Sequence, residues 1–193
     1  MPLPPAAATR QLHHRRQIDV QVYARDDGLW EVDATVVDVR PQATTLAGQV
    51  RSAGHPIHDM LLRLVVDAQL TVLACGAETR WMPYVGQCDA HGDAYDRLVG
   101  LNLARGFRDG VRERVGGVQG CTHITELAQV LPTAVIQAFA GSVIDTRGHG
   151  DDKPFQLDRC HALRSDGEAV RTHYARWYRP SPSPTPDSPR STE

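Results

Sequence analysis

The chain has 193 residues, of which 41% are hydrophobic and 23% are charged, a length and composition that suit one domain with a buried core. The net charge of −2 argues against a dedicated nucleic-acid-binding protein, which usually carries a strongly basic face. No apolar run approaches the ~20 residues that a membrane-spanning helix needs. The N-terminal basic residues follow the apolar ones, the reverse of a secretory signal, so we expect a cytoplasmic protein.

The chain divides by composition into three segments. We predict a flexible leader over residues 1–9, a single α+β domain over 10–178, and a disordered tail over 179–193, where Pro and Ser predominate. Four cysteines are too few for a disulfide framework in a chain of this length, so we expect free or metal-bound thiols. They are Cys75, Cys88, Cys121 and Cys160.

The first half of the predicted domain has the two-residue periodicity of half-buried strands. Apolar residues alternate with polar ones in two segments that a turn at Asp26-Asp27-Gly28 separates, which indicates a hairpin. Residues 41–56 are predicted to form a loop, and two further strands follow it. The four predicted strands cover residues 18–22, 30–36, 57–66 and 70–74.

The second half changes to helical spacing. Residues 93–115 are predicted to be helical in pieces, interrupted at Gly100, Gly106 and Gly110. Residues 124–138 have the strongest helical periodicity, with a kink or a break into two helices expected at Pro132. A final strand is predicted at 170–174. The fold expected is α+β, an antiparallel sheet of four to five strands with C-terminal helices packed on one face.

The segment Gly116-Gly117-Val118-Gln119-Gly120-Cys121-Thr122-His123 directly precedes the long helix. A cysteine in the first turn of a helix is near the positive end of the dipole and unpaired N–H groups, which favour the thiolate, and His123 could accept its proton. Inside a regular helix the two side chains would point about 200° apart. Both can therefore serve one site only if Cys121 precedes the helix in an extended conformation. The alternative is that Cys121 or Thr122 caps the helix and His123 lies on the surface.

The cysteines could also hold a metal. Cys88, Cys121 and Cys160, with His123 or His161 as a fourth ligand, would suit tetrahedral zinc or an iron–sulfur cluster. The wide spacing of the cysteines does not place them together, and free cysteines are often simply buried. Cys75 ends an apolar strand and is interpreted as a core residue.

Histidine and aspartate occur together at the start of the third predicted strand. His58 and Asp59 could form an oriented imidazole or supply metal ligands, but neighbours on a strand face opposite sides. A purely structural role for the pair is the alternative. The chain has no phosphate-binding loop and no nucleotide fingerprint, so no nucleotide cofactor is expected.

Several segments together resemble the bacterial family called domain of unknown function 2889 (DUF2889). They are YARDDGLWEVDATVVDVR at 23–40, AGHPIHDMLLRLVVD at 53–67, the Cys88 region, RLVGLNLARGF at 97–107, RERVGGVQGCTHITEL at 112–127 and RCHALRSDGEAV at 159–170. The family label carries no reaction. An acidic residue is usual in the family where this chain has His55, which makes His55 a poor ligand. The resemblance implies as candidate site residues His58, Asp59, Cys88, Cys121, His123, Cys160 and His161.

The order of elements is more distantly similar to that of NifU-type iron–sulfur cluster scaffold proteins. There, three cysteines and an Asp or His hold zinc or a nascent cluster; the comparable positions here would be Cys88, Cys121 and either Cys160 or Asp59. The chain departs from that pattern because the histidine follows Cys121 and because Cys160 lies beyond the long helix.

These observations support three hypotheses. The leading one is a zinc or iron–sulfur site whose ligands are drawn from Cys88, Cys121, Cys160, His123 and Asp59. The second is a metal-free lyase or hydrolase for a small carbonyl or thioester compound, in which Cys121 acts with His123 or His58. The third is a non-catalytic interaction module. The partner is accordingly a small molecule or another protein, and whether the protein is an enzyme stays open.

Overall fold

The computed structural model describes residues 2–149 and 151–181, and it divides into two compact units, one ending at Ala138 and the other beginning at Phe139. Compactness does not test independent folding, so the single domain over 10–178 stays a prediction. Of the predicted disordered tail, residues 182–193 lie outside the described residues. Within the described part of the chain, the helices are too short or too polar to cross a membrane.

The first unit contains a four-stranded antiparallel sheet in the order β1-β2-β5-β6, and a separate hairpin of β3 and β4. The predicted α+β class is therefore confirmed, with four strands in the main sheet. The strands are β1 Arg15–Ala24, β2 Trp30–Val39, β3 Thr44–Leu46, β4 Gln49–Arg51, β5 Pro56–Val66 and β6 Val72–Trp81.

Two predictions for the first unit need correction. The loop expected over 41–56 contains the β3–β4 hairpin, whose two-residue turn at Ala47 and Gly48 has φ angles of 50° and 77°. Positive φ at both positions is typical of the turns that close tight hairpins. The last strand of the sheet, β6, extends to Trp81, well beyond the predicted end at residue 74. Its second half is mostly polar because β6 is an edge strand with little buried surface.

The core of the first unit begins at the alternating residues of the two central strands. Because β2 and β5 pair antiparallel, their inward side chains form one continuous apolar surface. Its buried members are Val32, Ala34, Val36, Met60, Leu62, Leu64 and Val66. The helices of this unit contribute a second buried set, comprising Phe107, Val111, Val115, Ile124, Leu127, Ala128, Leu131 and Val135.

The helical region also differs from its prediction. A 3-10 helix covers Gly92–Leu98, and α1 covers Phe107–Val115. The interruption expected at Gly110 does not occur, because Gly110 lies inside α1. Leu101 packs against Gly110 too closely for a side chain at that position. The long helix, α2, runs unbroken over Thr122–Phe139, so of the kink or break expected at Pro132 the break into two helices is wrong and the kink stays a prediction. Buried residues on both sides of Pro132 stabilise the continuous helix.

In the second unit, the strand expected at 170–174 is wrong, because Glu168–His173 forms a short helix, α3. Arg171 meets the Glu168 carboxylate three residues earlier, a spacing that suits a helix. Cys160 is exposed and directly precedes the 3-10 turn His161–Leu163.

Candidate thiol–imidazole site

A row of polar side chains crosses three strands at one end of the core. Arg16 on β1 is the register partner of Asp38 on β2, and Asp38 is the register partner of His58 on β5. Asp38 is only 2% exposed, and both of its oxygens are bonded to Arg16, from Nε at 2.9 Å and from Nη2 at 2.8 Å. Nδ1 of His58 lies 3.0 Å from Oδ2 of Asp38.

The Asp38 carboxylate is surrounded by positively charged or protonatable groups. Burial alone would raise its pKa, but the hydrogen bonds from Arg16 and His58 outweigh that effect and lower the pKa to about 2. Nε2 of His14 lies 3.1 Å from Oδ1. Asp38 is therefore ionised throughout the physiological pH range and holds a permanent negative charge beneath the histidines.

The N-terminal end of α2 is fixed by Tyr95, whose side chain is buried. The backbone N–H of Cys121 donates to the Tyr95 hydroxyl oxygen at 2.9 Å. The Tyr95 hydroxyl in turn donates to the Cys121 carbonyl oxygen at 2.9 Å. Thr125 donates its hydroxyl hydrogen to the Val115 carbonyl at 3.0 Å, and its oxygen lies 3.1 Å from Tyr95 Oη. These bonds hold the Cys121 backbone in one position.

Gly120 lets the chain approach Tyr95 closely. A Cβ atom at this position would lie 2.6 Å from the Val115 carbonyl oxygen and 3.0 Å from the Tyr95 hydroxyl. Cys121 itself lies just before Thr122, the first residue of α2. Cys121 therefore precedes the helix, as the sequence requires for a site shared with His123; its extended conformation stays a prediction.

His123 lies between the thiol and the buried carboxylate. Its Nδ1 is 3.9 Å from Sγ of Cys121, and its Nε2 is 3.9 Å from Oδ2 of Asp38. Its ring stacks on that of His58 with centroids 3.8 Å apart. Burial, together with the neighbouring His58 and Arg16, keeps the pKa of His123 below its ordinary value. The imidazole is therefore favoured in its neutral form, which can accept a proton.

A cleft of about 600 Å³ opens beside these groups. His58 and Met60 of β5 line one part of it, and Sγ of Cys121 is 3.7 Å from the Met60 sulfur. Cys88 lies in the wall as well, so the structure places two of the predicted cysteines in one cleft. The remaining walls come from the segments 83–97 and 118–123.

The other predicted residues lie elsewhere. Asp59 pairs with Val37 and Trp81, one position out of phase with His58, so it faces away from the Asp38 row. Cys75 is on β6, where burial and then Asp96 raise the pKa of its thiol to about 12. Cys160, as described above, belongs to the second unit.

Among the residues that the structure describes, one group of possible metal ligands is assembled. Asp38, His58 and His123 each place a ligand atom within 4.8 Å of the others. Asp38 was missed in the sequence, although it continues the alternation of the inward residues Val32, Ala34 and Val36. The ligand set Cys88, Cys121, Cys160, His123 and Asp59 stays a prediction.

The fold and site define a small α+β protein with a cysteine, two histidines and a buried aspartate around one cleft. Residues 14–137 match the family described as protein of unknown function (DUF2889), and the chain belongs to this family. The resemblance expected from the sequence is thus confirmed, and the matched region contains every residue that lines the cleft. No curated protein and no solved structure matches the chain, and the likeness to NifU-type scaffolds is not confirmed.

Proposed function

We propose that the protein is a metal-free thiol enzyme that transfers or hydrolyses the acyl group of a small ester or thioester. Cys121 is the nucleophile and His123 is the general base. One observation carries the proposal: the His123 ring directs one nitrogen toward the Cys121 thiol and the other toward the buried Asp38 carboxylate. A nucleophile, a base and a group that orients the base are the parts that acyl transfer needs.

The chemical step follows from that order. Sγ of Cys121 forms a bond to the acyl carbon while its proton passes to Nδ1 of His123, and the proton then leaves with the departing alcohol or thiol. Water attacks the resulting acyl-cysteine, releasing a carboxylic acid and restoring the thiol. The 3.9 Å between His123 and Asp38 exceeds an ordinary hydrogen bond, and the 3.9 Å between His123 and the Cys121 sulfur is a long one. Such contacts commonly shorten when a substrate binds.

Two neighbouring features support this chemistry. Negative charge on the acyl oxygen needs hydrogen-bond donors, and the first N–H groups of an α-helix have no acceptor within the helix. Thr122 and His123 open α2 and also line the cleft. The ionised Asp38 carboxylate stabilises a protonated His123, while its contacts with Arg16 and His58 keep it in place. We therefore assign Arg16, Asp38 and His58 as positioning residues.

The test is acylation of Cys121 by a small thioester. The protein is incubated with S-acetyl-N-acetylcysteamine, and the acetylated cysteine is located and timed by peptide mass spectrometry. Cys121 should acylate faster than the exposed Cys160, and His123→Gln should slow it by roughly a hundredfold. Cys160→Ser is the control and should leave the Cys121 rate unchanged. Acylation of Cys121 no faster than of Cys160 would contradict the proposal.

A second candidate is a zinc site, which the assembly of Asp38, His58 and His123 favours. Nitrogen and carboxylate ligands suit zinc, whereas an iron–sulfur cluster needs thiolates. Arg16 competes with this use, because its guanidinium already bonds both Asp38 oxygens. Zinc content near one per chain that is lost in His58→Ala and kept in Cys121→Ser would support the metal site over the thiol enzyme. If neither zinc nor Cys121 acylation is found, the non-catalytic interaction module is favoured.

A further inference from the structure

We propose that the substrate carries a carboxylate a few carbon atoms from its reacting carbonyl, and that Arg97 binds this carboxylate. The inference rests on the proposed function of Cys121 and adds the substrate class. Its starting point is the placement of Arg97, an exposed cation in the wall of the same cleft as Cys121 and His123.

Arg97 is held in position by neutral groups. Its Nε donates to the Ala94 carbonyl at 3.1 Å, and its Nη1 and Nη2 donate to the side-chain and backbone oxygens of Gln119 at 2.8 and 3.0 Å. All three acceptors are uncharged oxygens, so these bonds leave the positive charge in place. A guanidinium has five N–H donors, so two remain for a ligand. Because the side chain is already ordered, binding an anion loses little further conformational entropy.

The lining of the cleft contains no competing anion. Among the described residues that form its walls, none is Asp or Glu, although the whole chain has more acidic than basic residues. Asp38 lies behind His58 and His123, and Arg16 offsets its charge. A ligand that entered the cleft would therefore meet the positive charge of Arg97 and the histidine rings, with no carboxylate in the described lining to repel it.

The distance along the chain limits the size of the substrate. Gln119, which anchors the Arg97 guanidinium, is two residues before Cys121, and two residues span at most about 7 Å between Cα atoms. Because Nη2 of Arg97 bonds the backbone oxygen of Gln119, we place a carboxylate on Arg97 within the reach of a short carbon chain from a carbonyl at Cys121. A half-ester or half-thioester of a short dicarboxylic acid has this spacing. The two N–H groups of Arg97 that remain, one on each Nη, can donate to carboxylate oxygens as charge-assisted hydrogen bonds.

The apolar parts of the cleft suit the rest of such a molecule. Tyr84 and Val118 are in the lining, and both side chains are well exposed. Burying them against a short carbon chain or a leaving group would remove apolar surface from water.

The experiment compares two thioesters that differ in one charge, S-acetyl-N-acetylcysteamine and S-succinyl-N-acetylcysteamine. The measured quantity is the ratio of the two acylation rates at Cys121. We expect the succinyl compound to react about tenfold faster or more, because a hydrogen bond between charged groups contributes that much. The ratio should approach one in Arg97→Gln.

Two control variants distinguish the effect of the Arg97 charge from the effect of the groups around it. Gln119→Ala removes the side-chain acceptor but keeps the cation, so the succinyl preference should persist. Arg105→Gln removes an exposed charge outside the cleft and should leave both rates unchanged. If Arg97→Gln fails to fold, the wild-type ratio measured at rising NaCl replaces it, and it should fall as salt screens the contact.

The outcomes are distinguishable. If neither thioester acylates Cys121 faster than Cys160, the proposed enzyme and this inference both fail. If both acylate Cys121 at the same rate, the enzyme stands and the carboxylate site is overturned. If the succinyl preference survives in Arg97→Gln, or does not fall with salt, Arg97 is not the binding residue.

Discussion

Arg16 and Asp38 face each other across β1 and β2, and two nitrogens of the guanidinium donate to different oxygens of the carboxylate at 2.9 and 2.8 Å. The arginine is 33% exposed while the aspartate is 2% exposed. Arg16, on the edge strand β1, therefore neutralises the charge of a carboxylate that is buried in the core. The stability of this end of the core should depend on the pair.

Removing the Asp38 carboxylate should destabilise the fold strongly. Asp38→Ala leaves Arg16 and His58 without their partner at a buried position, and we expect a loss of about 2–4 kcal/mol in the free energy of unfolding. Asp33→Ala is the matched control, since Asp33 also accepts two hydrogen bonds of 2.6 Å from an arginine, Arg63. That pair is more exposed to solvent, at 48% for Arg63 and 20% for Asp33. That change should cost less than about 1 kcal/mol. Urea unfolding measures both, and equal losses would argue against a special role for Asp38.

The same carboxylate predicts an acid-dependent loss of stability. Its folded-state pKa of about 2 lies below its ordinary value of 3.8, so its contribution is complete above about pH 4 and is lost as pH falls toward 2. The stability difference between the wild type and Asp38→Asn should therefore shrink over this window. Urea titrations at pH 6, 4 and 3 test it, and a difference that stays constant with pH would contradict the assigned ionisation.

The lowered pKa of His123 predicts that stability also changes in a second pH range, above that of Asp38. Its folded-state pKa is lowered from 6.5, so below that pH the unfolded chain takes up more protons than the folded one. Stability should decline as pH falls from about 6.5, and His123→Gln should flatten this part of the curve. Thermal unfolding between pH 5 and 8 measures the slope, and a slope that is the same in the wild type and His123→Gln would contradict the assigned direction.

The Tyr95 hydroxyl should matter for both stability and reactivity. Tyr95→Phe leaves the Cys121 N–H without its acceptor, for an expected loss of about 1–2 kcal/mol. Because the Cys121 backbone is then less well fixed, its acylation should slow by more than that of Cys160. Tyr23→Phe, on the exposed face of β1, should change neither quantity. If Cys121 is acylated at the same rate in Tyr95→Phe as in the wild type, the Tyr95 hydroxyl does not contribute to the reactivity of the site.

Glycine is required at position 120 but not at position 76. Gly120→Ala places a methyl group 2.6 Å from the Val115 carbonyl oxygen, and this backbone atom cannot easily move away. We therefore expect a loss of about 1–3 kcal/mol in the free energy of unfolding. At Gly76, on β6, a Cβ atom would meet no other group within 4 Å, and Gly76→Ala should be neutral or slightly stabilising. Chemical denaturation of the two variants provides the comparison, and equal effects at the two positions would contradict the requirement at Gly120.

Much of the sheet could be predicted because its inward residues repeat every second position. The phase that identifies Val32, Ala34 and Val36 as core residues also marks Asp38 as inward-facing. A charged residue that continues an apolar stripe is a signal of a buried polar contact, and it was available in the sequence. The same phase rule separates His58, which faces Asp38, from Asp59, which does not.

Other features could not be predicted because local patterns were too short or too weak. The strands β3 and β4 have three residues each, and α3 has six, so neither shows enough periods to distinguish a strand from a helix. The cleft depends on which distant segments meet. Cys88 and Cys121 share it because the segment 83–97 lies beside the start of α2, a long-range relationship that cysteine spacing does not encode.

The polar row across β1, β2 and β5 also has a consequence for how the strands align during folding. If β1 slid two residues along β2, its apolar face would still point inward, so hydrophobic burial alone would tolerate the error. Asp38 would then lie opposite Ile18 or His14, and its buried charge would lose the bidentate guanidinium. Misaligned pairings of the edge strand are thereby raised in free energy, so the contact between Arg16 and Asp38 selects one alignment of β1 on β2.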